Sequence, residues 1–169
     1  MQNFKLLFGY FTDILLLRRG PQDLPSSQSL LVMLILLNLV AGTFLFSSGD
    51  SSDSLQSIVD IGLSLAMYTA ILNLRGFRKR VLQTLIAFTG TGLLLTLVLF
   101  PISLLLGQEG ESAFQAAGRM MFMALLIWSL AVDGHIFRHS LNTNMLVGTA
   151  IAVVIFIARI YILERMWPG

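Results

Sequence analysis

Residues 145–158 carry no charged side chain, and the apolar stretch they open runs to residue 163 with only Arg159 inside it. A helix needs about 18 or more predominantly apolar residues to cross the hydrocarbon core of a bilayer. Four further runs of that kind can be placed, at 29–47, 55–74, 81–106 and 114–134. In lipid every backbone N–H and C=O must be satisfied inside the segment, which makes each run a helix. The expected fold is therefore all-α: a polytopic membrane protein with a bundle of five transmembrane helices.

Composition agrees with that reading. Of 169 residues, 56% are hydrophobic and 12% are charged, against roughly 25% charged in an ordinary soluble domain. A soluble core of this size buries too small a share of its area to hide so much apolar surface. The connections at 48–54, 75–80, 107–112 and 135–144 are too short for a soluble domain, so residues 29–169 read as one membrane domain. Ser, Gly and Asp mark the first as a turn. Pro101 lacks a backbone donor and is expected to kink or end the third helix near its far end. Gly134 marks the end of the fourth. The absence of cysteine removes disulfides, thiolate metal sites and cysteine nucleophiles.

The first 28 residues differ from the rest. At 100° per residue, Phe4, Leu7, Phe11, Ile14 and Leu15 share one face of a helix over residues 3–17, and Lys5, Gly9, Thr12 and Asp13 share the other. Such an amphipathic helix suits the headgroup region of a membrane. Arg18 and Arg19 end it, where cations complement the helix dipole and anionic lipid. Gly20-Pro21 and Pro25-Ser26-Ser27 then break the chain before the first span. A secretory signal peptide fits poorly, because Asp13 interrupts the apolar run and the arginines follow that run.

Basic residues set the expected orientation. Lys5, Arg18, Arg19, Arg75, Arg78, Lys79, Arg80 and Arg138 fall on one side of a five-span chain. Arg119 and Arg165 lie at span edges on the other side, with Asp50, Asp53, Glu109, Glu111 and Glu164. The positive-inside rule places the first group, and the N-terminus, in the cytoplasm and the C-terminus across the membrane. The bacterial inner membrane is the expected location. An even number of spans would separate the basic groups.

Ionisable residues within spans are the first functional suspects. Asp60, Arg119, Arg159 and Glu164 lie at similar depth near the non-cytoplasmic face. Asp60 could pair with Arg119 or Arg159. This cluster reads either as an interhelix ion pair with snorkelling arginines or as a polar site for a ligand or proton. A second cluster, Asp133, His135, Arg138 and His139, sits at the cytoplasmic end of the fourth span. The i, i+4 histidines are compatible with two metal ligands, but no HExxH pattern accompanies them. A wet, basic helix end is the plainer reading, and no metal or cofactor is expected.

Asn38, Asn73, Tyr68, Thr84, Thr89, Thr91 and Thr96 suggest bonding between helices. Gly62 with Ala66, Gly90 to Gly92, and Gly148 with Ala152 offer small faces for close contact. Trp128, at mid-span, reads as core packing, and Trp167 as an interfacial anchor. Ser129 lies in no GxSxG context. Arg78-Lys79-Arg80 is too short for a nucleic-acid surface.

The segment Trp128-Ser129-Leu130-Ala131-Val132-Asp133-Gly134-His135-Ile136, with the cytoplasmic amphipathic start and five spans, resembles the Yip family of small five-span proteins and bacterial proteins sharing that domain. The Asp-Leu-Tyr-Gly-Pro type motif of its eukaryotic members is absent. The resemblance implies a non-enzymatic, membrane-organising or partner-binding role, and carries over no functional residue. The leading expectation is thus a membrane adaptor or assembly factor, in contact with lipid and with a membrane-protein partner or a second copy of itself. One alternative is a small-molecule or ion transporter or channel using the Asp60, Arg119 and Arg159 region. The other is a lipid-acting intramembrane enzyme working through His135 and His139.

Overall fold

The computed structural model describes residues 2–46, 51–106 and 113–167, with 2–4, 44–46 and 51–54 as backbone only. The described residues are helical throughout their regular structure. Six α-helices follow in order: α1 Gln2–Leu15, α2 Gln28–Phe46, α3 Ser51–Leu74, α4 Val81–Leu106, α5 Ala113–Ser140 and α6 Met145–Met166. Short 3-10 turns at Pro21–Asp23 and Arg78–Arg80 precede α2 and α4. Among the described residues four helical segments are long and apolar enough to cross a membrane: Leu55–Leu74, Arg78–Leu106, Ala113–Ser140 and Met145–Met166. Gln28–Thr43 of α2 is a shorter apolar stretch. The loop 107–112, with Glu109 and Glu111, and Asp50 lie outside the described residues.

Two boundaries differ from the sequence expectation, the start of α3 and the end of α5. The turn expected over 48–54 gives way to helix from Ser51 onward, because Ser and Asp suit the first turn of a helix. Pro101 lies inside α4, whose limits Val81–Leu106 are those of the third apolar run. Gly134 does not end α5, which continues to Ser140. Its role is close packing: a Cβ there would overlap Thr149 of α6, whose backbone N would lie 2.8 Å away. Gly148 faces it across the same contact, where a Cβ would meet the Gly134 carbonyl oxygen. The connection between α5 and α6 shrinks accordingly to residues 141–144. Asn142 takes a left-handed φ of 53°, and the Asn144 side chain caps α6 by accepting from the Val147 N–H at 2.8 Å.

The core is concentrated at one end of the bundle. Leu34, Tyr68, Leu72, Leu85, Ile86, Phe88, Val132, Ile136, Phe137, Ala152 and Ile155 are all buried there. This is also the end that carries Arg75, Arg78, Lys79, Arg80 and Arg138, and it is called the basic end below. Toward the other end burial thins out, although α4 and α5 still meet where Leu105 packs against Gly118. Large apolar side chains face outward along most helices, among them Val32, Ile58, Leu97, Ile127 and Val154. In water that surface would favour aggregation; in lipid it is matched to its solvent. Gly62 and Ala66 also face outward, with nothing within 4 Å of a Cβ at Gly62. Trp128 is 39% exposed and is not a core residue.

α1 has a partner within the protein. Phe11 and Ile14 are buried, with Leu7, Tyr10 and Leu15 packed around them. Phe11 lies directly on Gly90 of α4, where any Cβ would overlap its ring. Leu17 closes α1 in a left-handed conformation, φ 60°, and the Arg18 N–H returns to the Asp13 carbonyl at 2.8 Å. Arg19 pairs with Asp13 at 3.0 Å and stacks over Tyr10.

Candidate functional site: a polar cavity between the helices

Helical periodicity explains how α3 builds a polar face. Ser57, Asp60, Ser64 and Tyr68 succeed one another at intervals of three or four residues, so they share one side of the helix. That side looks into a cavity of about 350 Å³. From Asp60 to Tyr68 the polar face extends roughly 12 Å along the helix axis. The opposite walls come from Asn38 and Gly42 of α2, Thr89, Gly92 and Thr96 of α4, Ser129 and Asp133 of α5, and Phe156 and Arg159 of α6. The volume lies in the range of small-ligand sites, roughly 300–1,000 Å³.

An aromatic cluster floors the cavity toward the basic end. Tyr68 stacks on Phe88 with ring centroids 3.9 Å apart, and Phe137 meets both at 5.5 and 5.0 Å. Above it, Asn38 donates to the Leu34 carbonyl of its own helix at 2.8 Å and to the Thr89 carbonyl of α4 at 2.9 Å. Both amide hydrogens are thereby used in tying α2 to α4, and the carbonyl oxygen keeps its acceptor capacity. Thr89 and Ser64 return their hydroxyl hydrogens to Leu85 and Asp60 carbonyls one turn earlier.

The charged groups define the chemistry. Arg159 donates to the Asp60 carboxylate through Nε at 2.9 Å and through Nη2 to both oxygens, at 2.7 and 2.5 Å. The side chains of the pair are 24% and 29% exposed. Such charge-assisted, multiply bonded contacts are the strong class of ion pair. Asp133 reaches the same cavity from α5. Tyr68 and Arg159 each lie within electrostatic reach of both Asp60 and Asp133. Among the described residues no side chain donates a hydrogen bond to Asp133. The cavity therefore holds two carboxylates, one guanidinium and a row of hydroxyl and amide groups.

The structure regroups the residues singled out in the sequence. Of Asp60, Arg119, Arg159 and Glu164, it brings together Asp60 and Arg159. Arg119 is exposed and donates to Gln115 on its own helix at 3.2 Å, and Glu164 is exposed on α6. Asp133 leaves the second cluster and joins the first. Residues two apart on a helix point roughly 200° from each other, so an unbroken α5 sends Asp133 into the cavity and His135 to the opposite side. There His135 is buried, and its Nε2 lies 3.0 Å from the Arg19 carbonyl oxygen. His139 packs against His135 with ring centroids 4.5 Å apart. The histidine pair thus holds the segment that follows α1. Among the described residues no group of three or more His, Asp and Glu side chains is placed to hold a metal. Ser129 donates to the Leu126 carbonyl at 2.8 Å and lies on the cavity side, away from His135.

No protein-family model, no curated protein and no solved structure matches this chain.

Proposed function

We propose that this is a five-span protein of a bacterial inner membrane, with its N-terminus in the cytoplasm, that binds a small cation-bearing solute in the cavity as part of its transport. The full 19 residues of α2 give a helix of roughly 28 Å, close to the thickness of a hydrocarbon core. Counting α2 as a span keeps the basic residues together on the cytoplasmic side. On this reading α1 lies at the cytoplasmic interface, with its buried face against α4 and Leu6 and Phe8 toward lipid.

One observation carries the solute reading: a polar cavity inside an apolar bundle contains two carboxylates for one guanidinium. Asp60 and Arg159 neutralise each other. Among the described residues Asp133 forms no ion pair of its own, and ionisable groups within spans are costly, so they commonly mark ion or solute pathways. An amine or other small cation would restore balance at Asp133, while the hydroxyls of Ser129 and Tyr68 and the Asn38 carbonyl offer polar contacts. The test is thermal melting of the detergent-purified protein against small primary amines, quaternary amines and diamines, with carboxylic acids as controls. A rise in Tm with one cationic class, lost in Asp133→Asn, supports the reading, and uptake of that compound into proteoliposomes supports transport. No shift with any cation would contradict it.

A second reading, an adaptor or membrane-organising protein of the Yip type, draws on a different surface. Met120, Met123 and Ile127 of α5 share one side of the helix and are each more than half exposed, a flexible apolar face for another membrane protein or a second copy. Co-purification from mild detergent with neither a stoichiometric partner nor a self-oligomer would count against it.

A further inference from the structure

A second cavity, of about 410 Å³, opens at the basic end and is separate from the one between the spans. It is lined by Gln22, Arg80, Arg138, His139, Asn142 and Thr143, and so by three stretches of chain: the turn after α1, the turn before α4 and the end of α5 with its connection to α6. We propose that this pocket binds a phosphate group, from an anionic lipid headgroup or from a soluble phosphate. The proposal does not depend on the solute reading above.

Arg80 is pre-oriented for the task. Its Nη1 donates to the His139 and Ser140 carbonyls at 3.1 and 3.2 Å, and its guanidinium carbon lies 5.2 Å from the centre of the Phe77 ring. Those contacts fix the plane of the guanidinium and, among the described residues, leave the Nε and Nη2 hydrogens for a ligand. Arginine offers a planar fork that matches phosphate oxygens. Arg138 is exposed at the same pocket and forms no ion pair among the described residues. Gln22, Asn142 and Thr143 add neutral side chains that can donate hydrogen bonds. One carboxylate, Asp23, lies within electrostatic reach of His139, so the two guanidiniums leave the pocket positive. Its position beside the ends of α4, α5 and α6 matches the level at which phospholipid headgroups meet a membrane protein.

The full-length protein in neutral detergent provides the test. In one arm, inorganic phosphate is titrated against sodium chloride of equal ionic strength; in the other, phosphatidylglycerol is titrated against phosphatidylcholine. Binding is read from the rise in Tm with ligand concentration. Removing one charge-assisted contact weakens binding by roughly tenfold or more, so Arg138→Gln should lower the apparent affinity by that factor. Lys79→Gln, a basic neighbour outside the pocket, should leave it within about twofold, as expected for a distant surface charge. A response to phosphatidylglycerol alone identifies a headgroup site, and a response in both arms identifies a site open to soluble phosphates as well. No response beyond the controls in either arm overturns the proposal. So does an equal loss in Arg138→Gln and Lys79→Gln, which would show only general attraction to a basic surface. His139→Gln provides an independent variant at the same pocket, with a smaller loss expected.

Discussion

The two ends of the bundle are built from the same helices and the same apolar composition, yet they use them differently. At the basic end the chain is stitched together. Thr84 and Ser140 hydroxyls meet at 2.8 Å, Gln83 donates to the Leu24 carbonyl at 2.7 Å, Arg80 bonds the end of α5, and His135 holds the Arg19 carbonyl. Glycines at 90, 134 and 148 let helices and rings approach closely. At the other end the same helices separate around a polar cavity, and the principal tie across it is the ion pair of Asp60 and Arg159. The difference teaches where stability and chemistry reside. One end supplies a packed base that fixes five helices in place. The other is left free to hold water or a ligand, because its position no longer has to be secured by its own core.

The comparison is broken most forcefully by glycine substitutions. Gly134→Leu should destabilise by about 3 kcal/mol or more, since overpacking of a tight contact costs about 1–3 kcal/mol and here backbone is what must move. Folded yield after detergent extraction would fall sharply. Gly62→Leu, at an outward position of α3, should stay within about 0.5 kcal/mol. Comparable losses at both positions would mean that the ends are packed alike.

The ion pair is the next largest expected effect. Removing one partner leaves a charge without its counterpart, and for fully buried pairs that costs about 3–5 kcal/mol. The partial exposure of this pair reduces the expectation for Asp60→Ala to about 2 kcal/mol. The reversed pair, Asp60→Arg with Arg159→Asp, should recover more than half of that loss in Tm. A swap that recovers nothing, or an Asp60→Ala protein as stable as the parent, would sharpen the picture against the pair as the tie between α3 and α6.

Smaller still is the latch at the basic end. His135→Phe keeps an aromatic ring and removes the hydrogen bond to the Arg19 carbonyl, which should cost about 1 kcal/mol. The local consequence should be easier to detect than the global one. Trypsin should cut at Arg18 or Arg19 faster in the variant, and unchanged protection of that site would show that packing of Phe11 and Ile14 alone holds α1.

Much of this organisation was legible in the sequence, and the failures have physical causes. Long apolar runs located the helices, because span length is set by lipid thickness and is not a subtle pattern. Opposite charges at 60 and 159 pointed to a pairing, but Arg119 stood at a similar depth. Depth along a helix can be counted from the sequence, whereas the direction a residue faces depends on how neighbouring helices pack. Proximity in the chain groups Asp133 with His135 and His139 at the cytoplasmic end of the fourth span, next to Gly134. Close packing on Gly148 and Thr149 keeps α5 helical through that glycine and places Asp133 on the other side. The polar face Ser57, Asp60, Ser64 and Tyr68 was present as a spacing of three and four residues. It becomes informative only when read as one face of a membrane span, where serines and a carboxylate on a common side need a reason. The histidine contact to Arg19 had no sequence signal, since it joins residues 116 apart in the chain.

The most direct test of the contrast between the ends uses the fact that the chain has no cysteine. Single cysteines at Ser129 and Thr96, which line the cavity, can be compared with single cysteines at Thr84 and Ser140, which are 0% and 1% exposed at the basic end. Rates of modification by hydrophilic methanethiosulfonate reagents, one cationic and one anionic, would be measured in the bilayer-embedded protein. The account predicts rapid labelling at 129 and 96, faster for the cationic reagent, and little at 84 and 140. Equal protection at all four positions, or faster reaction of the cavity cysteines with the anionic reagent, would contradict it.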